Sequence, residues 1–150
     1  MVHGRGLITV APVNRRRQKK LTERLVFAAL LGDTPVVAAV LRTGVDPRLP
    51  NAEGTLPLYS ASVNGEAEAV RLLLRAGADP DAESGHGSEG TPLCGAACWG
   101  HVDAVRELLA HGADPDLRED GGTGWSPLRW ARNGPHPETE AALVAAGATE

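Results

Sequence analysis

The chain contains one segment twice, almost residue for residue. LLLRAGADPDAE occupies residues 72–83, and ELLAHGADPDLR occupies residues 107–118. Related but more degenerate copies precede and follow these two. Each of the four copies contains a turn glycine. These glycines are Gly44, Gly77, Gly112 and Gly147, and they are spaced 33, 35 and 35 residues apart. A period of this length is typical of a supersecondary unit that buries its apolar faces by stacking on its neighbours. The spacing therefore predicts a solenoid of stacked repeats.

The third copy, TPLCGAACWGHVDAVRELLAHGADPD, shows what each unit contains. The Thr91 hydroxyl can cap a helix that begins at Pro92, a residue well suited to the first helical position. Gly100 can adopt the left-handed conformation that ends this helix. A second helix follows, with apolar residues at helical spacing on one side, namely Val102, Val105, Leu108 and Leu109. Each unit is therefore predicted to be two short antiparallel helices.

This pattern resembles the ankyrin repeat, whose sequence runs G-x-T-P-L-H-x-A-A-x-x-G-H, then an apolar helix, then L-L-L-x-x-G-A-D-x-N. The resemblance covers about residues 21–149. It implies an all-α repeat solenoid of helix-turn-helix units joined by β-hairpin-like loops. Four repeats are expected, at about residues 21–50, 51–85, 86–120 and 121–150, and the two outer repeats fit the pattern less well.

The terminal repeats are interpreted as caps. Glu140 stands in the last repeat where Val70 and Val105 stand in the central ones, and Pro135 replaces the glycine that ends the first helix. Pro137 can begin the final helix. In the first repeat, Thr34 and Pro35 favour the start of the second helix. Solenoids need a polar surface at their ends, so degenerate outer repeats are expected.

Charge divides the chain into two parts. Residues 1–20 contain six basic and no acidic residues, whereas residues 21–150 contain 15 − 6 = 9 basic and 19 acidic ones. The sequence therefore predicts a basic, disordered arm over residues 1–20 before an acidic repeat domain over residues 21–150. The basic run itself comprises Arg15, Arg16, Arg17, Lys19 and Lys20. An alternative is that this run forms the first turn of a capping helix.

Both cysteines of the chain, Cys94 and Cys98, lie close to His101. Thiolate and imidazole are zinc ligands, but a structural zinc site takes four ligands at recognised spacing. No CxxC motif or fourth ligand accompanies these residues, so no metal site is predicted. Cys94 occupies the histidine slot of T-P-L-H, where a small buried thiol is expected. Cys98 remains a candidate accessible thiol.

The sequence offers no catalytic constellation. The paired aspartates of the G-A-D-P-D segments fall on turns, where they serve backbone hydrogen bonds. No phosphate-binding glycine loop, no G-x-S-x-G motif and no nucleophile with an adjacent base is present. The chain is therefore predicted to be neither an enzyme nor a protein that needs a cofactor.

The resemblance implies that partners bind to a concave face formed by loop tips and by the ends of the first helices. The loop positions are Ala52, Glu53, Thr55, Gly87, Ser88, Gly90, Gly122, Thr123 and Trp125. The helix-end positions are Leu30, Leu31, Val63, Asn64, Cys98, Trp99, Asn133 and Gly134. From these, the predicted partner-binding residues are Glu53, Thr55, Val63, Asn64, Ser88, Cys98, Trp99 and Trp125. Packing between repeats is the alternative role for both tryptophans.

The sequence favours a non-catalytic protein-interaction module, an adaptor or a regulator, that binds an unidentified protein partner. An alternative is association with nucleic acid or another anionic surface, such as a membrane, through the run Arg15–Lys20. The cysteine placement favours a reducing compartment, and no apolar run approaches the ~20 residues that span a bilayer. The protein is expected to be cytoplasmic and monomeric.

Overall fold

The computed structural model describes residues 14–149. Over this range the chain forms nine α-helices and a short 3-10 turn at Gly85–Gly87. The helices are α1 (Arg15–Leu31), α2 (Thr34–Leu41), α3 (Pro57–Val63), α4 (Ala67–Arg75), α5 (Pro92–Cys98), α6 (Val102–Ala110), α7 (Glu119–Gly122), α8 (Pro127–Asn133) and α9 (Pro137–Ala145). No strand is found within residues 14–149, where an isolated antiparallel bridge joins Ser84 to Gly90. The prediction of an all-α repeat solenoid is confirmed.

Eight of the helices form four antiparallel pairs that stack in chain order. The first helices of the pairs, α1, α3, α5 and α8, pack on one another and are called the inner helices. The second helices, α2, α4, α6 and α9, form a parallel outer row. Successive pairs are joined by three loops, which include residues 46–56, 79–91 and 114–126. Helix α7 is a single turn within the third loop. Four repeats are therefore present, as the glycine spacing predicted.

A column of leucines runs through the centre of the stack. The inner helices contribute one member each, and all four are buried: Leu25, Leu58, Leu93 and Leu128. Three outer helices contribute equally buried leucines at Leu73, Leu108 and Leu143. Because each of these side chains fills space between helices, replacement of one by alanine costs about 2–5 kcal/mol. The stack therefore depends on contacts between repeats.

The turn residues act as the sequence indicated. The Thr91 hydroxyl accepts a hydrogen bond from the Cys94 amide at 3.2 Å, and α5 begins at Pro92. Gly100 follows α5 with a φ of 71°, in the left-handed region. A side chain there would also meet the His136 ring, since a Cβ atom would lie 2.4 Å from its Nδ1. Glycine is thus required at this position for both conformation and space.

Helix α1 begins earlier than the sequence indicated. Arg15–Lys20, assigned to a disordered arm, forms the first turns of α1, which continues without a break to Leu31. The Asn14 side chain caps it by accepting from the Arg17 amide at 2.9 Å. The helical alternative therefore describes this run. The rest of the predicted arm, residues 1–13, lies outside the described residues.

Helices α3, α5 and α8 each follow a loop. Helix α1 instead begins with extra turns, which lie beside the first loop. Gln18 Oε1 accepts from the Asp46 amide at 3.2 Å, and Glu23 Oε1 accepts from the Ala52 amide at 2.7 Å. Both acceptors satisfy loop amides that the α1 helix can reach. The N-terminal extension therefore supports the loop at residues 46–56.

Turn carboxylates connect successive loops in the same manner. Asp81 Oδ1 accepts from the Asp114 amide at 2.9 Å, and Asp116 Oδ1 accepts from the Thr149 amide at 2.9 Å. Arg48 occupies the corresponding position in the first loop, and it pairs with Asp46 instead. Burial raises the pKa of Asp81, and the nearby carboxylates of Asp114 and Asp79 raise it further, against the hydrogen bond from the Asp114 backbone.

Asp81 provides a direct test of this inter-loop bond. Asp81→Ala removes the acceptor and is expected to lower the free energy of unfolding by about 1 kcal/mol, the usual worth of such a bond. Asp81→Asn keeps an oxygen at the same place and removes a charge that burial disfavours, so its stability should match or exceed that of the parent. Urea unfolding at pH 7 measures both. Equal losses in the two variants would contradict a hydrogen-bonding role.

Candidate functional site

Exposed apolar side chains line up at the ends of the inner helices. Leu30 is 42 % exposed and Leu31 is 56 % exposed at the end of α1, and Val63 is half-buried at the end of α3. Trp99, which directly follows α5, is 64 % exposed. These four residues, called the apolar strip, come from three successive repeats: Leu30 and Val63 share one equivalent position, and Leu31 and Trp99 share the next. Large apolar side chains in one contiguous row mark interaction surfaces more often than scattered ones do.

Trp99 dominates this strip. It is the helix-capping residue of α5, and its backbone φ of −97° is an ordinary one. Its ring forms no ring–ring or cation–π contact with any residue in the range 14–149. Exposed tryptophan is energetically costly to leave in water and is enriched among residues that anchor interfaces. Of the two roles that the sequence left open for Trp99, its exposure favours the interface role.

The other helix-end residues predicted from the sequence lie beside Trp99 but differ in availability. Asn64 is exposed, although its Nδ2 donates to the Ser60 carbonyl at 2.8 Å. Cys98 is partly buried, and its carbonyl lies 3.0 Å from His136 Nε2. Asn64 therefore bonds to the end of its own helix, and Cys98 contacts the next repeat. The outer surfaces of both residues remain part of the same face as Trp99.

The predicted loop residues divide in the same way. Glu53 is exposed, and the structure gives its carboxylate no ion-pair partner within residues 14–149. Thr55 is half-buried, and its hydroxyl donates to Glu89 Oε1 at 2.9 Å. Ser88 is exposed, and its hydroxyl donates to the Gly85 carbonyl at 2.6 Å. Thr55 therefore holds two loops together, whereas Glu53 projects from the first loop.

Trp125 sits in a cluster within the last repeat. Its ring centroid lies 4.5 Å from that of Trp130, at an interplanar angle of 48°. The Arg129 guanidinium carbon lies 4.4 Å from the Trp125 centroid, within cation–π range. Trp130 Nε1 donates to Glu119 Oε2 at 2.9 Å. Trp125 is half-buried, and its ring contacts lie within its own repeat and not between repeats, so its role in partner binding stays a prediction.

Two glutamates of the loops were not singled out from the sequence. Glu89 accepts from Thr55 and, at 3.2 Å, from the Ser84 hydroxyl. Glu119 accepts from Trp130, and burial raises its pKa, with Asp120 and Glu83 adding to the effect. Burial raises the pKa of the Cys98 thiol, and the charge of Glu119 adds to this effect. Alignment of the loops by their glycines was the signal that could have drawn attention to them.

The cysteines are placed in different environments. Cys94 is buried, and its sulfur lies 3.6 Å from the Trp125 carbonyl oxygen. Burial raises the pKa of the Cys94 thiol to about 12, so the protonated form persists at neutral pH. His101 packs against Gly65, where a Cβ atom would lie 2.5 Å from its Nδ1. Within residues 14–149, no three His, Cys, Asp or Glu side chains are grouped to hold a metal ion.

The basic run covers the exposed start of α1. Its five cations are all exposed, and none forms an ion pair with a residue in the range 14–149: Arg15, Arg16, Arg17, Lys19 and Lys20. Lys19 and Thr22 line a groove against Leu49 of the first loop. The run and the apolar strip therefore lie on different parts of α1. No helix within residues 14–149 is both long and apolar enough to cross a membrane.

A family model, Ankyrin repeats (3 copies), matches residues 25–119. This is more than half of the chain, and the chain belongs to the ankyrin-repeat family. The matched region contains the first three helix pairs, and the fourth pair follows it with the same arrangement. Ankyrin repeats are generic protein–protein interaction modules and are typically non-catalytic. No curated protein matches the chain.

The two thiols should react at very different rates. Cys98 is partly exposed, whereas Cys94 is buried and has a pKa raised to about 12. An aromatic disulfide reagent at pH 8 is expected to modify one thiol per folded chain and the second only on addition of urea. Cys98→Ser should remove the first phase, and Cys94→Ala is the matched control that retains it. Equal reactivity of both thiols in the folded protein would contradict this arrangement.

Glu119 should make stability depend on pH. Because its folded pKa is raised above the ordinary value of 4.5, the folded state keeps the proton where the unfolded state loses it. The cost of the buried charge is thus present at neutral pH and disappears as the pH falls through the folded pKa toward the unfolded one. Glu119→Gln is therefore expected to be more stable than the parent at pH 7, with a gain that shrinks on acidification.

Urea unfolding of both proteins at several pH values measures this gain. Glu138→Gln, an exposed substitution in the first turn of α9, controls for the general loss of one negative charge. A gain from Glu119→Gln that grows on acidification would contradict the assignment.

Proposed function

We propose that this protein is a non-catalytic interaction module that binds a protein partner on the concave face of its ankyrin stack. The observation that carries the proposal is the exposure of Trp99, at 64 %, in line with exposed or half-buried apolar residues of two other repeats. The partner contacts lie on the apolar strip and on neighbouring loop positions such as Glu53 and Ser88. An adaptor or regulator that acts as a cytoplasmic monomer fits these features.

The helix-end and loop positions support this assignment because they differ between repeats. Leu31, Asn64 and Trp99 occupy one equivalent position, whereas every inner helix has a buried leucine at the same position. Residues of the core are fixed by packing, and residues that bind a partner are free to vary between repeats. Function in such a fold resides in the side chains on its surface, not in the architecture.

Binding through α1 to nucleic acid or another anionic surface is a second candidate. The observation that favours it is the set of exposed, unpaired cations from Arg15 to Lys20. Cations of this kind attract phosphate groups, and the attraction weakens as salt is added. The run has no aromatic side chain to stack on bases, and the rest of the chain is acidic. The concave-face proposal is therefore preferred.

Co-purification from the native host distinguishes the two candidates. Trp99→Ala should reduce the recovered partner by about tenfold or more, as expected for an interface anchor. Val144→Ala removes another exposed apolar side chain, on α9, and is the matched control that should retain the partner. Circular dichroism verifies that both variants fold.

A partner retained by Trp99→Ala would contradict the concave-face proposal. If that partner were lost instead from a variant in which Arg15, Arg16 and Arg17 are replaced by serine, the function would move to the basic run.

A further inference from the structure

We infer that the segment recognised by the apolar strip is amphipathic and basic, with apolar side chains on the strip and Lys or Arg side chains toward the second and third loops. This inference rests on the proposed function, because it names the chemistry of the partner for the same face. It is carried by the strip together with the charges that border it.

The loops that precede α5 and α8 are strongly acidic. Loop 79–91 contains four acidic residues and no Lys or Arg: Asp79, Asp81, Glu83 and Glu89. Loop 114–126 contains four acidic residues against Arg118 alone, for a net charge of −3. The formal charge of these two loops together is therefore −4 − 3 = −7. An apolar strip bordered by one sign of charge favours a partner segment of the opposite sign.

Within residues 14–149, the loop carboxylates of Glu89, Glu119 and Asp120 have no ion-pair partner. The ion pairs within residues 14–149 include Arg48–Asp46, Arg71–Glu68, Arg106–Asp103 and Arg132–Glu140, and none includes Glu89, Glu119 or Asp120. Glu89 and Glu119 are held in place by hydroxyl and indole donors, which leave their negative charge unbalanced. A cation supplied by a partner would find an acceptor already oriented.

These carboxylates act on the residues next to the strip. Burial raises the pKa of Tyr59, and Glu89 and Glu119 raise it further; burial also raises the pKa of Cys98, and Glu119 adds to that effect. Cys98 directly precedes Trp99, and Tyr59 lies on α3 against Gly95 of α5, where a Cβ atom would be 3.1 Å from its ring. Glu119 lies against Gly90, just before α5 begins, and Trp99 follows the end of the same helix, so a partner segment longer than the ~10 Å of α5 can reach both the carboxylate and the aromatic ring.

The opposite end of the stack restricts how such a segment lies. Helix α1 contains six basic residues and one acidic residue, a formal charge of 6 − 1 = +5. A uniformly basic segment would be repelled there, and the attraction is confined to the second and third loops. The basic part of the partner is therefore placed over the repeats that contain α5 and α8, and its apolar part extends over Val63 toward Leu30 and Leu31.

The test uses three synthetic peptides of 14 residues, each with leucine on one helical face and with lysine, glutamine or glutamate on the other. Fluorescence anisotropy measures their binding to the full chain at moderate salt. The leucine–lysine peptide should bind about tenfold more tightly than the leucine–glutamine peptide, as expected for one or two partly desolvated charge pairs. Trp99→Ala should weaken both, and the leucine–glutamate peptide should not bind.

Charge variants show where the preference arises. Glu89→Gln combined with Glu119→Gln keeps the hydrogen-bond acceptors and should reduce the lysine preference to within about twofold, because the paired charges are gone. Asp103→Asn combined with Glu138→Gln removes the same number of charges from the outer helices and should leave the preference intact.

Three results would overturn the inference. Equal, Trp99-dependent affinity for the lysine and glutamine peptides would reject a basic partner and leave the proposed interaction face standing. An equal loss of preference in the outer-helix pair would show general attraction to an acidic protein. Binding of the lysine peptide that is unchanged by Trp99→Ala would place it away from the strip. The proposed function itself fails in a different experiment, when the native partner is retained by Trp99→Ala.

Discussion

The structure depends on burial of leucines between neighbouring repeats, one from every inner helix and one from each outer helix except α2. A pair of helices as short as α3 and α4 exposes apolar surface on both of its sides and cannot remove it from water alone. Stacking buries Leu58 and Leu93 against the adjacent pairs, so stability is a sum of contacts between nearest neighbours. This arrangement leaves the ends of the inner helices outside the core. Their side chains are consequently available for recognition.

Contacts between leucines leave the positions of the loops undefined. Hydrogen bonds between the loops fix these positions. Asp81, Glu89 and Asp116 each connect two loops, and Gln18 of α1 does the same for the first loop, where no preceding repeat supplies an acceptor. Such bonds are directional, whereas apolar burial is not. They set how far each loop projects, and therefore where its carboxylates lie relative to Trp99.

Much of the fold could be predicted from the sequence because its determinants are local. Thr91, Pro92 and Gly100 define the two ends of α5 within nine residues, and the glycine spacing fixes the number of repeats. The helical start of α1 was the main difference, because a run of arginine and lysine has the composition of a solvated arm. Arginine, lysine and glutamine nevertheless favour helices, Asn14 caps this one, and Gln18 accepts a hydrogen bond from the Asp46 amide, 28 residues further along the chain.

The candidate site was harder to predict, since exposure depends on the neighbouring repeat. Trp99 and Trp125 are both tryptophans at variable positions, but Trp125 meets Trp130 and Arg129 and Trp99 has no such neighbours. Glu119 was overlooked because its importance comes from burial and from the indole of Trp130, eleven residues further along the chain. The sequence thus predicted the positions of a surface, and the structure shows which of their side chains are exposed.

The exposed strip crosses three repeats that are joined only through their neighbours. In a linear array the outer repeats open more easily than the central ones, because each end lacks one interface, and here Phe27 and Val144 remain exposed at the two ends. A ligand that lies across Leu31, Val63 and Trp99 would act as a brace over helices that otherwise fray independently. Occupancy of the strip would therefore be coupled to the cooperativity of unfolding, so that the bound protein unfolds more nearly as one unit than the free one.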